Sequence, residues 1–335
     1  MARARLTRRG WSAAIAVGLV TSCLMAAPAR ARGADGDASK PLTLGLNWVP
    51  EPEFGGFYAA EIDKLYAKNG LSVVVRPGGP GVPTVQEVAL GRLEYSVAEA
   101  TEVVLGRAAG LDIVGLFAVY QTTPRAIMAR KEIGAGSLAE LFAKPVSLAV
   151  EPGSVFTKYL EHHYGASKVS IVPMAGAMER FLTEKSFAMQ AFATSEPILA
   201  RHRGADPQVL LLSEIGFDPY MTVVITNGQR WRTSQKEVRS FVSAVRDGWT
   251  SYLADPKPAN ERMHQLNSAM DPATFAESAK TQAPLVLGKD GLPGLGRMTL
   301  GRWKTVVDQL TDLGLVEGAK GPKPEDCFVD ALSPS

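Results

Sequence analysis

Three acids stand where an extended stretch gives way to a helix start: Glu51, Glu99 and Glu196. In open α/β sheets, solutes lie beyond the carboxyl ends of strands, beside helix N-termini, so such junctions are the first places to look for chemistry. Trp48 offers a flat apolar face for a planar or alkyl group. Glu51 would accept hydrogen bonds from an amine or an amidine-like group. Core packing and a solvated loop are the plainer roles for these two. Thr101 would cap the helix that follows it or donate to a ligand. Gly153 and Ser154, after Pro152, open another helix, whose free amides and hydroxyl suit a carboxylate, sulfonate or phosphate, or serve only as its cap. Tyr120 and Tyr220 bound strands, where a phenol would stack, donate or pack a hinge. Tyr58, on the helix opened by Gly55-Gly56, completes the candidate ligand-binding set.

Catalysis has little support in these residue types. There is no Gly-x-Ser-x-Gly elbow, and no nucleophile pairs with a histidine by motif. The four histidines, His162, His163, His202 and His264, show no metal spacing with a Cys or acid partner. The glycines from Gly78 to Gly81 lack the Lys-Ser/Thr ending of a nucleotide loop and read as a turn. No catalytic residue, cofactor or metal is expected.

The elements that must position these side chains alternate. Leu42 to Trp48 reads as a strand, and Tyr58, Ile62, Leu65 and Tyr66 mark one helix face that stops at Asn69-Gly70. Strands follow at Leu71 to Val75, Tyr95 to Ala98 and Leu111 to Val119. The rhythm repeats at Val146 to Val150, Ser170 to Pro173, Ala191 to Thr194 and Val209 to Leu212, with helices between. Such alternation predicts an α/β fold with mostly parallel sheets, because each crossover helix covers a sheet face. After a strand at Tyr220 to Thr226, helices dominate. One stripe runs through Val238, Phe241, Val242, Val245 and Trp249, and another through Trp303, Val306, Val307, Leu310 and Leu313.

The chain of 335 residues is long enough for two lobes. Its first residues read as a secretion signal. Arg3, Arg5, Arg8 and Arg9 precede an apolar run from Trp11 to Ala27, and Ala29-Arg30-Ala31 fits a small-x-small cleavage site. Residues 1–31 are expected to be removed and 32–40 to form a disordered leader. Lipidation of Cys23, in Val20-Thr21-Ser22-Cys23, is the alternative. Cleavage removes five Arg and no acid, so the formal charge moves from +2 to −3. That takes away the charge argument for nucleic acid or anionic membrane as a partner. No later segment is long and apolar enough to span a bilayer. Cys327 would remain as a single cysteine, unable to form an intramolecular disulfide.

Leu46-Asn47-Trp48-Val49-Pro50-Glu51-Pro52-Glu53-Phe54-Gly55-Gly56-Phe57-Tyr58 resembles a segment of the ABC-importer solute-binding proteins for thiamine-pyrimidine precursors, nitrate, alkanesulfonates and taurine. So do Gly91 to Val97, Gln190-Ala191-Phe192-Ala193-Thr194-Ser195-Glu196-Pro197, Phe217 to Tyr220, Val223 to Asn227 and Trp249 to Pro256. The likeness spans Leu42 to Asp330, and the order and spacing of the pieces carry it. It implies a type II periplasmic-binding-protein fold of two lobes joined by two crossing strands, with the solute in the cleft. Lobe 1 is expected at 41–130 and 221–335 and lobe 2 at 131–220, with crossings near Arg125 to Arg130 and Tyr220 to Thr226. The resemblance also implies that Glu196 faces the cleft.

Two departures matter. Relatives that handle the thiamine pyrimidine carry His where Phe54 stands, and Glu51 replaces their Asn. The Cys-rich motif of the pyrimidine synthases of this fold is missing. The expected function is capture of a small organic solute for an ABC permease by a periplasmic monomer. An exported enzyme or a sensory binding protein on the same fold is the alternative. Acids in the cleft favour an amine-bearing solute, an aminopyrimidine among them, whereas a sulfonate or nitrate site would want Arg or several free amides. Arg125 is the one arginine near a predicted cleft strand, with a hinge role as its other reading.

Overall fold

The computed structural model describes residues 40–151, 153–165, 167–317 and 321–333. The expected signal, Cys23 and all of the leader but Lys40 lie outside the described residues, as does Pro152. Among the described residues ten strands form two five-stranded sheets. The first holds β1 (Leu42–Gly45), β2 (Val73–Arg76), β3 (Tyr95–Ala98), β4 (Ile113–Tyr120) and β10 (Met221–Asn227), in the order β2-β1-β3-β10-β4. The second holds β5 (Arg125–Arg130), β6 (Ser147–Ala149), β7 (Ser170–Val172), β8 (Phe187–Phe192) and β9 (Pro207–Leu211), in the order β7-β6-β8-β5-β9.

Parallel pairing is confined to β2-β1-β3 and β7-β6-β8. β10 runs antiparallel to β3 and β4, and β5 antiparallel to β8 and β9. The sheets are therefore mixed rather than mostly parallel, because a strand that returns across the lobes must run against its neighbours. Arg125–Arg130, placed at the end of the first lobe from the sequence, pairs wholly within the second sheet, with Arg125 opposite Phe192. The first crossing is thus the short Gln121–Pro124 link, and the second runs from Leu212 to Tyr220.

Both apolar stripes are buried. Val238, Phe241, Val242, Val245 and Trp249 face the core from the Gln235–Ala254 helix. That helix crosses the Gly55–Ile62 helix so closely that a Cβ on Gly248 would lie 2.3 Å from the Gly56 carbonyl oxygen, which only glycine permits. Trp303, Val306 and Leu310 are buried from the Leu300–Asp312 helix, while Val307 is partly buried and Leu313 half-buried. β4 is an edge strand, yet all eight of its residues are buried. The C-terminal segment covers its edge: the Gly115 amide donates to Cys327 O at 2.9 Å, and the Ala118 amide to Gly296 O at 3.1 Å. Gly296 has φ +80° with the Phe117 ring against its Cα, so a side chain is excluded twice over. Among the described residues no helix is long and apolar enough to cross a membrane.

The two crossings are tied to the C-terminal helices. Asp218 accepts from the Thr123 amide at 2.7 Å and pairs with Arg302 at 2.9 Å. Arg302 also donates to Asp218 O at 2.8 Å and to Gln121 O, and its guanidinium lies 4.1 Å from the Tyr220 ring centroid. The Gln121 and Thr122 amides donate to Leu285 O.

Candidate functional site

A cavity of about 420 Å³ lies between the two sheets. The first lobe contributes Asn47, Trp48, Glu51 and Glu53 from the loop after β1, Glu99 and Glu102 after β3, and Thr222 from β10. The second contributes Arg125, Glu151, Gln190, Phe192, Ser195 and Glu196. The acids follow strand ends, whereas Arg125 and Thr222 stand at the starts of β5 and β10 and Gln190 and Phe192 lie within β8.

Of the ten candidates read from the sequence, four line this cavity: Trp48, Glu51, Glu99 and Glu196. The other six lie elsewhere. Tyr58 is buried in the first-lobe core with no partner for its hydroxyl. Tyr120 is buried and donates to Gln282 Oε1 at 2.7 Å. Tyr220 accepts from the Thr299 amide at 3.0 Å beneath Arg302. Thr101 is buried just inside its helix, which is capped instead by Glu102, whose carboxylate accepts from the Glu99 amide at 2.7 Å. Gly153 is exposed, and the Ser154 hydroxyl shares a 2.7 Å hydrogen bond with that of Thr157.

Sequence reasoning missed Glu53, Glu102, Glu151, Gln190, Phe192 and Ser195 as lining residues and left Arg125 between hinge and cleft. Glu53 had a signal: it stands two residues after Glu51 in the same quoted segment. Gln190, Phe192 and Ser195 stood in the segment that nominated Glu196. Gly81 and Val82, read as part of or next to a plain turn, also reach the cavity wall.

Charge is the dominant property of this space. Arg125 is the one basic residue among the lining residues. Its guanidinium pairs with Glu99 across the lobes and lies 4.6 Å from the Phe192 centroid and 5.0 Å from that of Phe156. Its positive charge is therefore already used. Glu51 accepts from the Ser195 hydroxyl at 3.3 Å, a second contact across the cleft. Burial and then the Glu196 carboxylate push the Glu51 carboxyl up to about 7, against hydrogen bonds from Ser195 and the Trp48 indole. Burial also raises Glu196, against the Phe192 amide that donates to it at 2.7 Å. Glu53 is also held well above the usual carboxylate range, by burial first and then by Glu51 and Glu196, against the opposing charge of Arg125. The Gln190 carbonyl accepts from the Glu151 amide at 2.7 Å, which leaves its NH₂ as a neutral donor in the wall.

Two further features mark the site. Thr222 has φ +52°, a left-handed conformation costly for a β-branched residue, where β10 enters the wall. Trp48 stays 37% exposed although it lines the cavity. Away from the cavity, the lobes also meet through Glu277, which takes Arg201 at 2.8 Å and His202 at 3.0 Å.

The riboflavin-binding protein RibY of Chloroflexus aurantiacus is 23% identical over 261 residues, spanning 72% of this chain and 73% of RibY. Among solved structures, the periplasmic aliphatic sulphonate binding protein SsuA of Escherichia coli superposes with a TM-score of 0.66 at 13% identity, over 87% of this chain and 92% of SsuA. The desulfurization enzyme DszB superposes with a TM-score of 0.59 at 14% identity, over 87% of this chain and 97% of DszB. These structural likenesses establish the periplasmic-binding-protein fold. A family model described as "NMT1/THI5 like" matches residues 51–259, and the chain belongs to that family.

Proposed function

We propose that this chain is the exported solute-binding component of an ABC importer and captures a compact amine-bearing organic solute between its lobes. The observation that carries this reading is the charge of the cavity: carboxyls from both lobes face one space whose single guanidinium is spent on Glu99. A solute that offers N–H donors to Glu51 and Glu196 would bridge the lobes and favour their closure over it. Trp48 would stack on its flat or alkyl part. An aminopyrimidine is one solute of this kind. A sulfonate or nitrate would meet acids where it needs unpaired cations or free amides.

Family membership and the binding proteins among its relatives support capture rather than turnover. The lining residues contain no Cys and no His to serve as an activated nucleophile pair. The closed protein would present its cargo to a permease as a periplasmic monomer, after removal of residues 1–31. Native mass spectrometry of the protein purified without denaturation identifies the solute, and titration calorimetry measures it. An anionic solute would overturn the charge argument. A product released on incubation would make the protein an enzyme.

A further inference from the structure

Three carboxyls of the cleft, on Glu51, Glu53 and Glu196, differ in what holds them. Glu51 has the Ser195 hydroxyl and Glu196 the Phe192 amide. Glu53 takes no hydrogen bond from any described residue, although it lines the same cavity. Like charges gathered in one poorly solvated space cannot all ionise, and the proton stays on the carboxyl whose anion has fewest donors. The cleft's one cation, Arg125, is paired with Glu99 and offsets this only in part, since burial, Glu51 and Glu196 outweigh it at Glu53. A protonated carboxyl is a hydrogen-bond donor as well as an acceptor.

We propose that Glu53 is the specificity-determining residue of this cleft, its protonated carboxyl donating to a lone-pair acceptor on the solute while Glu51 and Glu196 accept from neighbouring N–H groups. The inference rests on the capture reading and narrows it. The favoured solute carries an amine beside a ring nitrogen or carbonyl, and a plain alkylammonium, which has donors only, leaves the Glu53 proton unused. Raised titration of Glu53 agrees with this, burial and then Glu51 and Glu196 being the causes.

The test has a ligand-free arm and a binding arm. Carbon-13 carboxyl spectra of glutamate-labelled protein, with Glu53 assigned by the signal lost in Glu53→Gln, should show Glu53 protonated at neutral pH. In calorimetry, cytosine (an amine beside a ring-nitrogen acceptor) should bind more tightly than benzylammonium. Glu53→Leu should weaken cytosine by at least about 10-fold and benzylammonium by less than about 3-fold. Glu53→Gln, whose amide always donates, should restore cytosine binding and hold it at alkaline pH, where the wild type declines. An ionised Glu53, or equal losses in the Leu and Gln variants, overturns this proposal and leaves capture standing. A protonated Glu53 with cytosine bound no more tightly than benzylammonium overturns the solute role of Glu53, whereas a product released on incubation overturns the capture reading.

Discussion

In both five-stranded sheets a parallel trio is followed by an antiparallel crossing strand and then an edge strand, yet the two are unequally clad. Every residue of β3 and β4 is buried, and β4's edge is sealed by the C-terminal segment. Trp249, Tyr252 and Trp303 lie in the clusters on the first sheet. The clusters on the second sheet contain no tryptophan, and two of the three residues of β7 are exposed. One wiring thus supports a heavily packed platform and a lighter cover. Trp48, Glu51 and Glu53 belong to the platform, and Gln190, Phe192 and Glu196 to the cover. Acids from both must meet across the cleft, and it is their mutual repulsion that a solute would relieve.

The contrast is most exposed to failure in the core. Trp249→Ala should cost about 3–5 kcal/mol in chemical denaturation, since a fully buried indole leaves a cavity against the Gly55–Ile62 helix. Amide exchange should be slowest in β3, β10 and β4 and faster in β7 and β9. The reverse order would dissolve the distinction between platform and cover.

Next in size is the cleft. Glu196→Gln should weaken binding of the co-purified solute by at least about 10-fold, or about 1.5–3 kcal/mol, with little change in the apo Tm. Wild-type affinity in calorimetry would remove Glu196 from the site. Trp48→Ala should weaken binding too, with some loss of stability.

The pH dependence follows from Glu51, whose carboxyl is raised to about 7 by burial and by Glu196. A carboxyl raised in the fold stabilises the apo protein fully below its unfolded pKa, and that contribution is lost as pH rises through about 7. A cationic solute favours the carboxylate instead. At constant solute charge, affinity should therefore rise from about pH 5 to about pH 8, with release of the order of one proton on binding near neutrality. Calorimetry in buffers of different ionisation heat reads that proton. Glu51→Gln should lack this part of both the stability decline and the affinity rise.

The smallest effect concerns the contact outside the cleft. Arg201 and His202 on the cover pair with Glu277 on the platform, all three substantially exposed. Glu277→Gln should change stability by less than about 1 kcal/mol. It should nonetheless enlarge the apo radius of gyration in solution scattering if this pair biases closure. An unchanged radius would make the pair ornamental.

Much of this was legible without coordinates. Strand and helix alternation, and the stripes of Val238 to Trp249 and Trp303 to Leu310, follow from periodicity, which is local. Of the residues the strand-end rule picked out, Trp48, Glu51, Glu99 and Glu196 line the cavity, while Thr101, Gly153 and Ser154, also at junctions, are not among its lining residues. Tyr58, Tyr120 and Tyr220 lie in the core, because an aromatic residue beside a glycine or a strand end packs a core as readily as it lines a cleft.

Residue types and their spacing determined that this chain would build α/β lobes and bring several acids to the ends of its strands. Tertiary structure alone decided that Arg125–Arg130 joins the second sheet, because strand pairing is a choice among distant partners that no local pattern encodes. It alone decided that Arg125 would be consumed by Glu99, and that Glu53 would face the cavity without a donor. The charge state of a carboxyl is set by burial, by neighbouring charges and by donors within a few ångströms, and those neighbours come from residues as far apart in sequence as Glu51 and Glu196.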